Sequence, residues 1–285
     1  MSWQPNMSYQ PNMSRTTLYV PGDRPDRFDK ALASGADAII CDLEDAVAED
    51  SKALARQAVA EWLRANSGAA CWVRVNNRPD LLSTDAALVR SLAADGVSFC
   101  GVVLPKATPA ACETDFGGCG VMALIESAAG VTHINQIASQ AAVVQVALGE
   151  EDLAADLGMQ PSVDAPEMWA IRTAAVVASA AAGLQAPVGP VFTNLEDEAG
   201  LAATSQTLSR QGFGGRAVIH PKQVNAVHLA FAPTSAEIAK AQATLEAFAA
   251  AAEANSGVAV VDGRFIDAAV VRWAKAVLAR VPVER

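Results

Sequence analysis

Eight short apolar runs alternate with longer amphipathic segments along this chain. The runs occupy residues 16–20, 38–41, 71–75, 101–104, 121–125, 143–149, a less regular stretch near 186–192, and 217–219. Most are continuously apolar, which is the pattern of strands buried on both faces in a parallel sheet. Between them, apolar spacings of three and four residues predict helices over 27–34, 51–65, about 85–93, 127–139, 166–182 and 196–211. Thr108-Pro109 reads as an N-cap with Pro at the first helical position and predicts one more helix after the fourth run. Eight strands alternating with helices make an α/β chain, a (β/α)8 barrel. Beyond residue 233 the chain exceeds what a barrel needs. Thr234 and Glu237 match a capping box for a helix to about 253, residues 257–263 suggest a hairpin or loop, and a last helix covers about 268–279. The expected division is a tail over 1–14, a barrel over 15–233, and a helical extension over 234–285 that packs on the barrel or on a neighbouring subunit.

In such a barrel all strand C-termini face one mouth. The fifth run ends in Glu126, and the sixth leads through Glu150-Glu151 to Asp152. Taken alone, the two acids fit two readings. They hold one hard divalent cation, magnesium by its preference for oxygen ligands and water, or Glu126 favourably starts a helix while Asp152 makes a surface ion pair. The other strand ends contribute Asp42, Glu44 and Asp45, then Arg74, Lys106 and His220. Singly, Arg74 reads as a structural ion-pair partner, Lys106 as solvated, and His220 before Pro221 as a turn residue bonded to backbone. Together, charges converging on one rim must be paired or bind something. A cation on Glu126 and Asp152 would leave positions for a 2-oxo acid bound through carboxylate and carbonyl oxygens, and would polarise that carbonyl. Arg74 could grip the carboxylate bidentately, with Glu44 and Asp45 holding metal-bound water and orienting the guanidinium, and Asp42 beside them. Aldol or Claisen-type carbon–carbon cleavage needs such a set.

Composition narrows the partners. The net charge is −10 over 285 residues, which argues against nucleic acid but leaves room for an anion in a locally basic pocket. Arg15, Arg24, Arg27 and Lys30 gather around the first run and its loop, either to receive a cofactor phosphate or as a solvated helix start. The five Cys include no C-x-x-C pair and read as reduced thiols, which fits a cytoplasmic setting. No apolar stretch is long enough for a bilayer, and the first residues lack a signal-peptide pattern, so no membrane partner is expected. Those residues form a tandem repeat, Met1-Ser2-Trp3-Gln4-Pro5-Asn6 followed by Met7-Ser8-Tyr9-Gln10-Pro11-Asn12, expected to be disordered in isolation. Dinucleotide, P-loop and G-x-S-x-G fingerprints are absent, and the three His lack a metal-binding spacing.

Ordered blocks carry a resemblance. Leu18-Tyr19-Val20-Pro21-Gly22-Asp23-Arg24-Pro25-Asp26-Arg27-Phe28, Asp42-Leu43-Glu44-Asp45-Ala46-Val47, Val73-Arg74-Val75-Asn76, Leu104-Pro105-Lys106, Ala123-Leu124-Ile125-Glu126, the segment from Gly149 through Asp152, Asp156 and Gly158, and Ile219-His220-Pro221 resemble the citrate lyase beta-subunit-like proteins of the HpcH/HpaI aldolase/citrate lyase family. The resemblance runs from about Arg15 to the C-terminus. It implies a TIM barrel of the phosphoenolpyruvate/pyruvate type, magnesium on Glu126 and Asp152, and a substrate carboxylate on Arg74, with Arg24 and Lys106 as further substrate-binding candidates. It implies cleavage or formation of a 3-hydroxy-acyl-CoA thioester such as citryl-, malyl- or citramalyl-CoA, with a 2-oxo acid and an acyl-CoA as the other species. An acyl-CoA thioesterase using the same site and a non-catalytic subunit keeping the fold are the alternatives. Trimeric or hexameric homo-oligomers are implied too, in which an acid from one subunit's C-terminal segment completes a neighbour's site. Phe265-Ile266-Asp267 matches that motif, making Asp267 the candidate acid/base beside Arg74 and Glu44, although an N-cap for the last helix suits it equally. Two positions depart from the family pattern: Arg216 stands where Lys is usual, and 186–192 lacks the usual acidic and aromatic end of strand seven.

Overall fold

The computed structural model of the chain describes residues 14–162, 164–253, 259–261 and 264–281. Most of the repeat expected as a tail, and part of the stretch expected as a hairpin, lie outside these residues. Eight strands form a closed parallel barrel in chain order: β1 (Thr16–Pro21), β2 (Ala38–Asp42), β3 (Cys71–Arg74), β4 (Gly101–Leu104), β5 (Val121–Ile125), β6 (Val143–Leu148), β7 (Val188–Gly189) and β8 (Gly215–Val218). Pairing of Thr17 with Ala217 joins β8 back to β1. Around the barrel run α1 (Phe28–Leu32), α2 (Lys52–Ala65), α3 (Pro79–Ala94), α4 (Ala128–Thr132), α5 (Ile134–Ala138), α6 (Glu150–Leu157), α7 (Trp169–Ala181), α8 (Glu198–Gln211) and α9 (Val224–Phe231). Side chains alternate faces along a strand. One set, including Ile40, Trp72, Met122, Leu124, Ala147, Val188 and Ala217, clusters in the lumen, while residues such as Ile39, Val73, Val121 and Val146 are buried on the helix side.

Several elements differ from the sequence expectation for identifiable reasons. The helix foreseen after Thr108-Pro109 is only a 3₁₀ turn over Ala111–Glu113. Thr108 Oγ1 does accept the Ala111 N–H at 3.2 Å, but the chain leaves at Gly117 and Gly118 before a second turn can form. The single helix foreseen over 127–139 is split into α4 and α5 at His133, whose Nδ1 bonds the Ala129 carbonyl at 2.8 Å. The α3 helix starts six residues earlier than the expected 85, with Pro79 in its first turn, where a missing N–H costs nothing. β7 shrinks to two residues because Pro187 and Pro190 flank it and neither can donate to a ladder. β4 opens on Gly101 at φ +136°, where a Cβ would lie 2.2 Å from the Gly120 carbonyl oxygen; only glycine lets the two strands pair there.

A buried polar network lies under the β2 and β3 ends. Asp85 of α3 is fully buried and accepts from Asn76 N and Nδ2 at 2.7 Å each and from Arg56 Nε at 2.5 Å. Asn76 Nδ2 also donates to the Leu43 carbonyl at 2.9 Å. Lys52 of α2, itself buried, donates to the carbonyls of Leu43 and Glu44 at 2.7 and 2.6 Å. The loop after β2 is thus held from below by two helices.

The packing divides the chain into two compact units, one up to Ala230 and one from Phe231. The second contains α10 (Ser235–Glu253), an antiparallel pair β9 (Ala259–Val261) and β10 (Arg264–Ile266), and α11 (Ala268–Leu278). The Thr234 capping box is present, with Thr234 N donating to Glu237 Oε2 at 2.8 Å and Glu237 N to Thr234 Oγ1 at 3.2 Å. Helices α10 and α11 pack through Ala241, Ala274 and Val277. Among the described residues no helix is long and apolar enough to cross a membrane.

Asp85→Ala leaves the Arg56 charge and the Asn76 donors without their buried acceptor. Urea unfolding is expected to show a loss of about 3–5 kcal/mol, the scale for breaking one partner of a buried pair.

Candidate active site at the barrel mouth

Of the expected rim residues, Asp42, Asp45, Arg74, Glu126 and Asp152 line a cavity of about 390 Å³ at the C-terminal end of the strands. Its organiser is Asp42, the last residue of β2 and 1 % exposed. Asp42 Oδ1 accepts the Glu44 N–H at 2.8 Å and Oδ2 the Ala46 N–H at 3.2 Å, folding the loop as an Asx turn. The same two oxygens take Arg74 Nε and Nη2 at 2.8 and 2.6 Å. Asp42, which the sequence placed only beside Glu44 and Asp45, therefore makes the bidentate hold on Arg74, to which Glu44 adds a single contact. The cause is register: Asp42 and Arg74 are paired neighbours on β2 and β3. Burial works against the Arg74 charge, but the bonds to Asp42 outweigh it and hold its pKa above the ordinary value. Its Nη1 lies 3.1 Å from Glu44 Oε2 and 3.9 Å from Asp45, and the guanidinium stands 5.0 Å over the Tyr19 ring.

Two further acids face this cation under poor solvation. Burial, reinforced by Asp45 against the pull of Arg74 and Lys106, pushes Glu44 up to about 7. Burial, together with the neighbouring Glu44 charge, pushes Glu126 up to about 7 as well. Glu126, 5 % exposed, accepts the Lys106 backbone N–H at 2.8 Å on Oε1. Its Oε2 lies where a Cβ on Gly149 would come within 2.6 Å, so the glycine after β6 makes room for this carboxylate. Asp152, in the first turn of α6, is half-exposed and lies 3.3 Å from Lys106 Nζ, which also lies 3.5 Å from Glu44. Lys106 adopts φ +46°, an uncommon conformation for a side-chain-bearing residue, in a loop also held by Asn77 Nδ2 on the Pro105 carbonyl at 2.8 Å.

The donor set fits magnesium. Among the described residues no three His, Cys, Asp or Glu side chains form a ready-made metal cage. Magnesium characteristically takes one or two carboxylates and keeps several waters. Buried Glu126 beside half-exposed Asp152 offers that, and Glu44 Oε2, buried and facing the Arg74 charge at 3.1 Å, adds a further oxygen close by.

Other sequence candidates fall elsewhere. Arg24 is exposed and paired bidentately with Asp26 at 2.9 Å, and Arg27 and Lys30 are exposed beside it. Arg15 does not join them. It precedes β1 whereas they follow it, and the six-residue strand separates the two ends by ~20 Å. His220 caps the turn after β8, with Nδ1 accepting the Lys222 N–H at 3.1 Å, as its backbone-bonded reading foresaw. Asp267 belongs to the second unit, where it caps α11 by accepting from Ala269 and Val270 N–H at 2.9 and 3.0 Å. Those bonds hold its carboxyl below the usual range.

The sequence reading passed over several contributors. Glu150 receives Arg172 Nε and Nη2 at 2.6 and 2.7 Å in a buried pair that fixes the start of α6 beside Asp152. The signal was three acids in succession at a helix start, but the distant partner arginine on α7 was not legible. Tyr19, Lys52, Asn76 and Gly149 were likewise missed, because each acts through a neighbour that only folding supplies.

The two raised carboxyls set a pH dependence. For Glu126, the stabilising contribution of the protonated form is complete below about 4.5 and disappears as pH rises through about 7. Glu126→Gln is therefore expected to gain on the parent protein between pH 5 and pH 8, by at most ~3 kcal/mol. Urea unfolding in chelator at the two pH values measures the difference.

The relatives of this chain share its architecture. Residues 15–221 match the family model described as HpcH/HpaI aldolase/citrate lyase. The citrate lyase subunit beta of Leuconostoc mesenteroides subsp. cremoris is 33% identical over 93% of this chain and 92% of its own length. A (3S)-malyl-CoA thioesterase of Cereibacter sphaeroides is 32% identical over 96% of each chain. The Mycobacterium tuberculosis protein CitE, solved with magnesium, acetoacetate and coenzyme A, superimposes with a TM-score of 0.78 at 30% identity, covering 94% of this chain and 97% of that one. A citrate lyase beta subunit from the same organism, solved with oxaloacetate and magnesium, gives 0.67 at 31% identity over 77% of this chain and 97% of its own. A closed eight-stranded barrel, an acid-lined mouth and a family match across most of its length make this chain a member of the HpcH/HpaI aldolase/citrate lyase family.

Proposed function

We propose that this protein is a magnesium-dependent carbon–carbon lyase that cleaves, or in reverse forms, a 3-hydroxy-acyl-CoA thioester, giving a 2-oxo acid and an acyl-CoA. The observation that carries this reading is the set of buried acids, Glu44 and Glu126, gathered with Asp152 around an oriented arginine. Such a set costs folding stability unless it serves a cation and an anionic substrate. Glu126 and Asp152 would hold the ion, as the magnesium-bound relatives encourage. Bound there, magnesium supplies Lewis-acid polarisation of the substrate's oxygen.

The chain's own residues do the rest. Arg74, with Nε and Nη2 taken by Asp42, would exchange the Glu44 contact of its Nη1, 3.1 Å long, for the substrate carboxylate. Glu44, pushed up to about 7, suits exchange of the hydroxyl proton near neutral pH. As that proton leaves, the hydroxyl carbon becomes the oxo carbon. The bond to the thioester α-carbon breaks and its electron pair passes into the thioester enolate. Asp267, supplied from a neighbouring subunit of a trimer or hexamer, or a water it positions, returns a proton to that carbon. Lys106 and Arg24 remain substrate-binding candidates, Lys106 for the acid end and Arg24 for a cofactor phosphate. Similarity to a malyl-CoA thioesterase favours a second reading, in which water attacks the thioester in the same site.

Purified protein incubated with magnesium and malyl-, citramalyl- or citryl-CoA, with products identified by mass spectrometry, tests this. A 2-oxo acid with stoichiometric acyl-CoA supports the lyase, whereas free CoA without acyl-CoA indicates the thioesterase. Glu126→Ala and Asp152→Ala are each expected to lose at least about 100-fold in kcat, the scale for removing one stabiliser of developing charge; undiminished turnover would sink the metal assignment. Asp267→Asn is expected to lose roughly 10²–10⁴-fold with magnesium affinity unchanged. Co-expression of Asp267→Asn with Glu126→Ala should restore part of the activity if the acid acts between subunits.

A further inference from the structure

We infer that the barrel lumen below the charged rim receives the substituent of the 2-oxo acid, and that it selects an uncharged aliphatic substituent over one bearing a second carboxylate. The inference rests on the lyase reading of the same site.

The cavity does not stop at the rim. Its lining descends from Asp42 to Thr17, the second residue of β1, and includes Ala217, its register partner on β8. Pro21 pairs with Asp42 and lies four residues above Thr17, about 13 Å along the strand and roughly 10 Å along a tilted barrel axis. Lumens of such barrels are ordinarily filled by layers of branched side chains. Here Ala147 and Ala217 occupy lumen positions on β6 and β8, and β7 contributes only Val188. These small residues leave a narrow opening: Leu124, Ala147 and Ala217 stay 4, 5 and 7 % exposed, whereas Thr17 and Ile40 are 1 % exposed.

The lower walls carry no charge. Ile40, Met122 and Leu124 face it, and its polar side chains below the rim are Thr17 and Tyr19. Burial raises the Tyr19 phenol, which stays neutral. Thr17 Oγ1 is buried without a hydrogen-bond partner. Neither can neutralise an anion. Six carboxylates and one arginine line the whole cavity, and Arg74, held by Asp42, is already committed to the substrate's first carboxylate. Even a doubly charged cation would leave this rim negative. A second substrate carboxylate pushed inward would meet no counter-charge, whereas a short alkyl group would meet matching apolar surface. The bulky thioester must come from the mouth, so the inward direction falls to the oxo acid's substituent.

Calorimetric titration of the full-length protein with magnesium and a series of glyoxylate, pyruvate, 2-oxobutyrate, 2-oxovalerate and fresh oxaloacetate tests this. Affinity is expected to rise about fourfold per added carbon until the slot is filled. Oxaloacetate should bind at least about tenfold more weakly than 2-oxobutyrate, an uncompensated buried charge being the worst match for apolar walls. Ala147→Leu fills the slot and should flatten the series, with Ala217→Val as a milder variant should the first not fold. Oxaloacetate binding as tightly as 2-oxobutyrate, or a series unchanged in both variants, overturns this inference and leaves the lyase reading standing. Absence of magnesium-dependent binding by any 2-oxo acid overturns both.

Discussion

The bidentate bond between Asp42 and Arg74 is the constraint on which the mouth of this barrel depends. One buried carboxylate holds the guanidinium and, through the N–H groups of Glu44 and Ala46, folds the loop that carries the remaining acids. The arrangement follows from the parallel register of β2 and β3, which sets Asp42 beside Arg74. Beneath it, Lys52 and Asn76 grip the carbonyls of the same loop. A charge pair that would be worth little at an exposed surface becomes decisive here, because neither partner can return to water without dismantling the loop.

Around that pair the fold tolerates conditions that oppose stability. Glu44 and Glu126 are buried near each other, and both are pushed to about 7. Gly149 gives way for one of them, and Lys106 accepts a strained backbone conformation while its N–H bonds Glu126. Strain and like charge are thus concentrated at one end of an otherwise regular barrel, the pattern that functional sites show.

The weakest stave shapes the same cavity from the other side. β7 has two residues, and the stretch beyond it is held by Arg216 instead of a ladder. Arg216 Nε donates to the Pro190 carbonyl at 2.8 Å, and Nη1 to Thr204 and Ser205 of α8 at 2.8 and 3.0 Å. Burial pulls this arginine down to about 10, so it remains a cation at neutral pH among neutral oxygens. The two departures from the family pattern, Arg216 and the segment near 186–192, are thus one structural feature. A planar fork with several donors can span that segment and α8 together, which a lysine could not do.

Much of this was written in the chain itself. Continuous apolar runs set the eight strands, and the barrel follows because strands buried on both faces need helices outside and neighbours on each edge. The acids at the ends of β2, β5 and β6 could be placed at one mouth on that ground alone. Sequence could not say which carboxylate orients Arg74, since that is a matter of register between strands thirty residues apart. Nor could it show that Gly149 makes way for Glu126, or that α3 reaches back through Asp85 to brace the β2 loop. Local pattern fixes which face of an element is buried. Which groups then meet, how far they are stripped of water, and whether the lumen between them is filled are decided by the closing of the barrel.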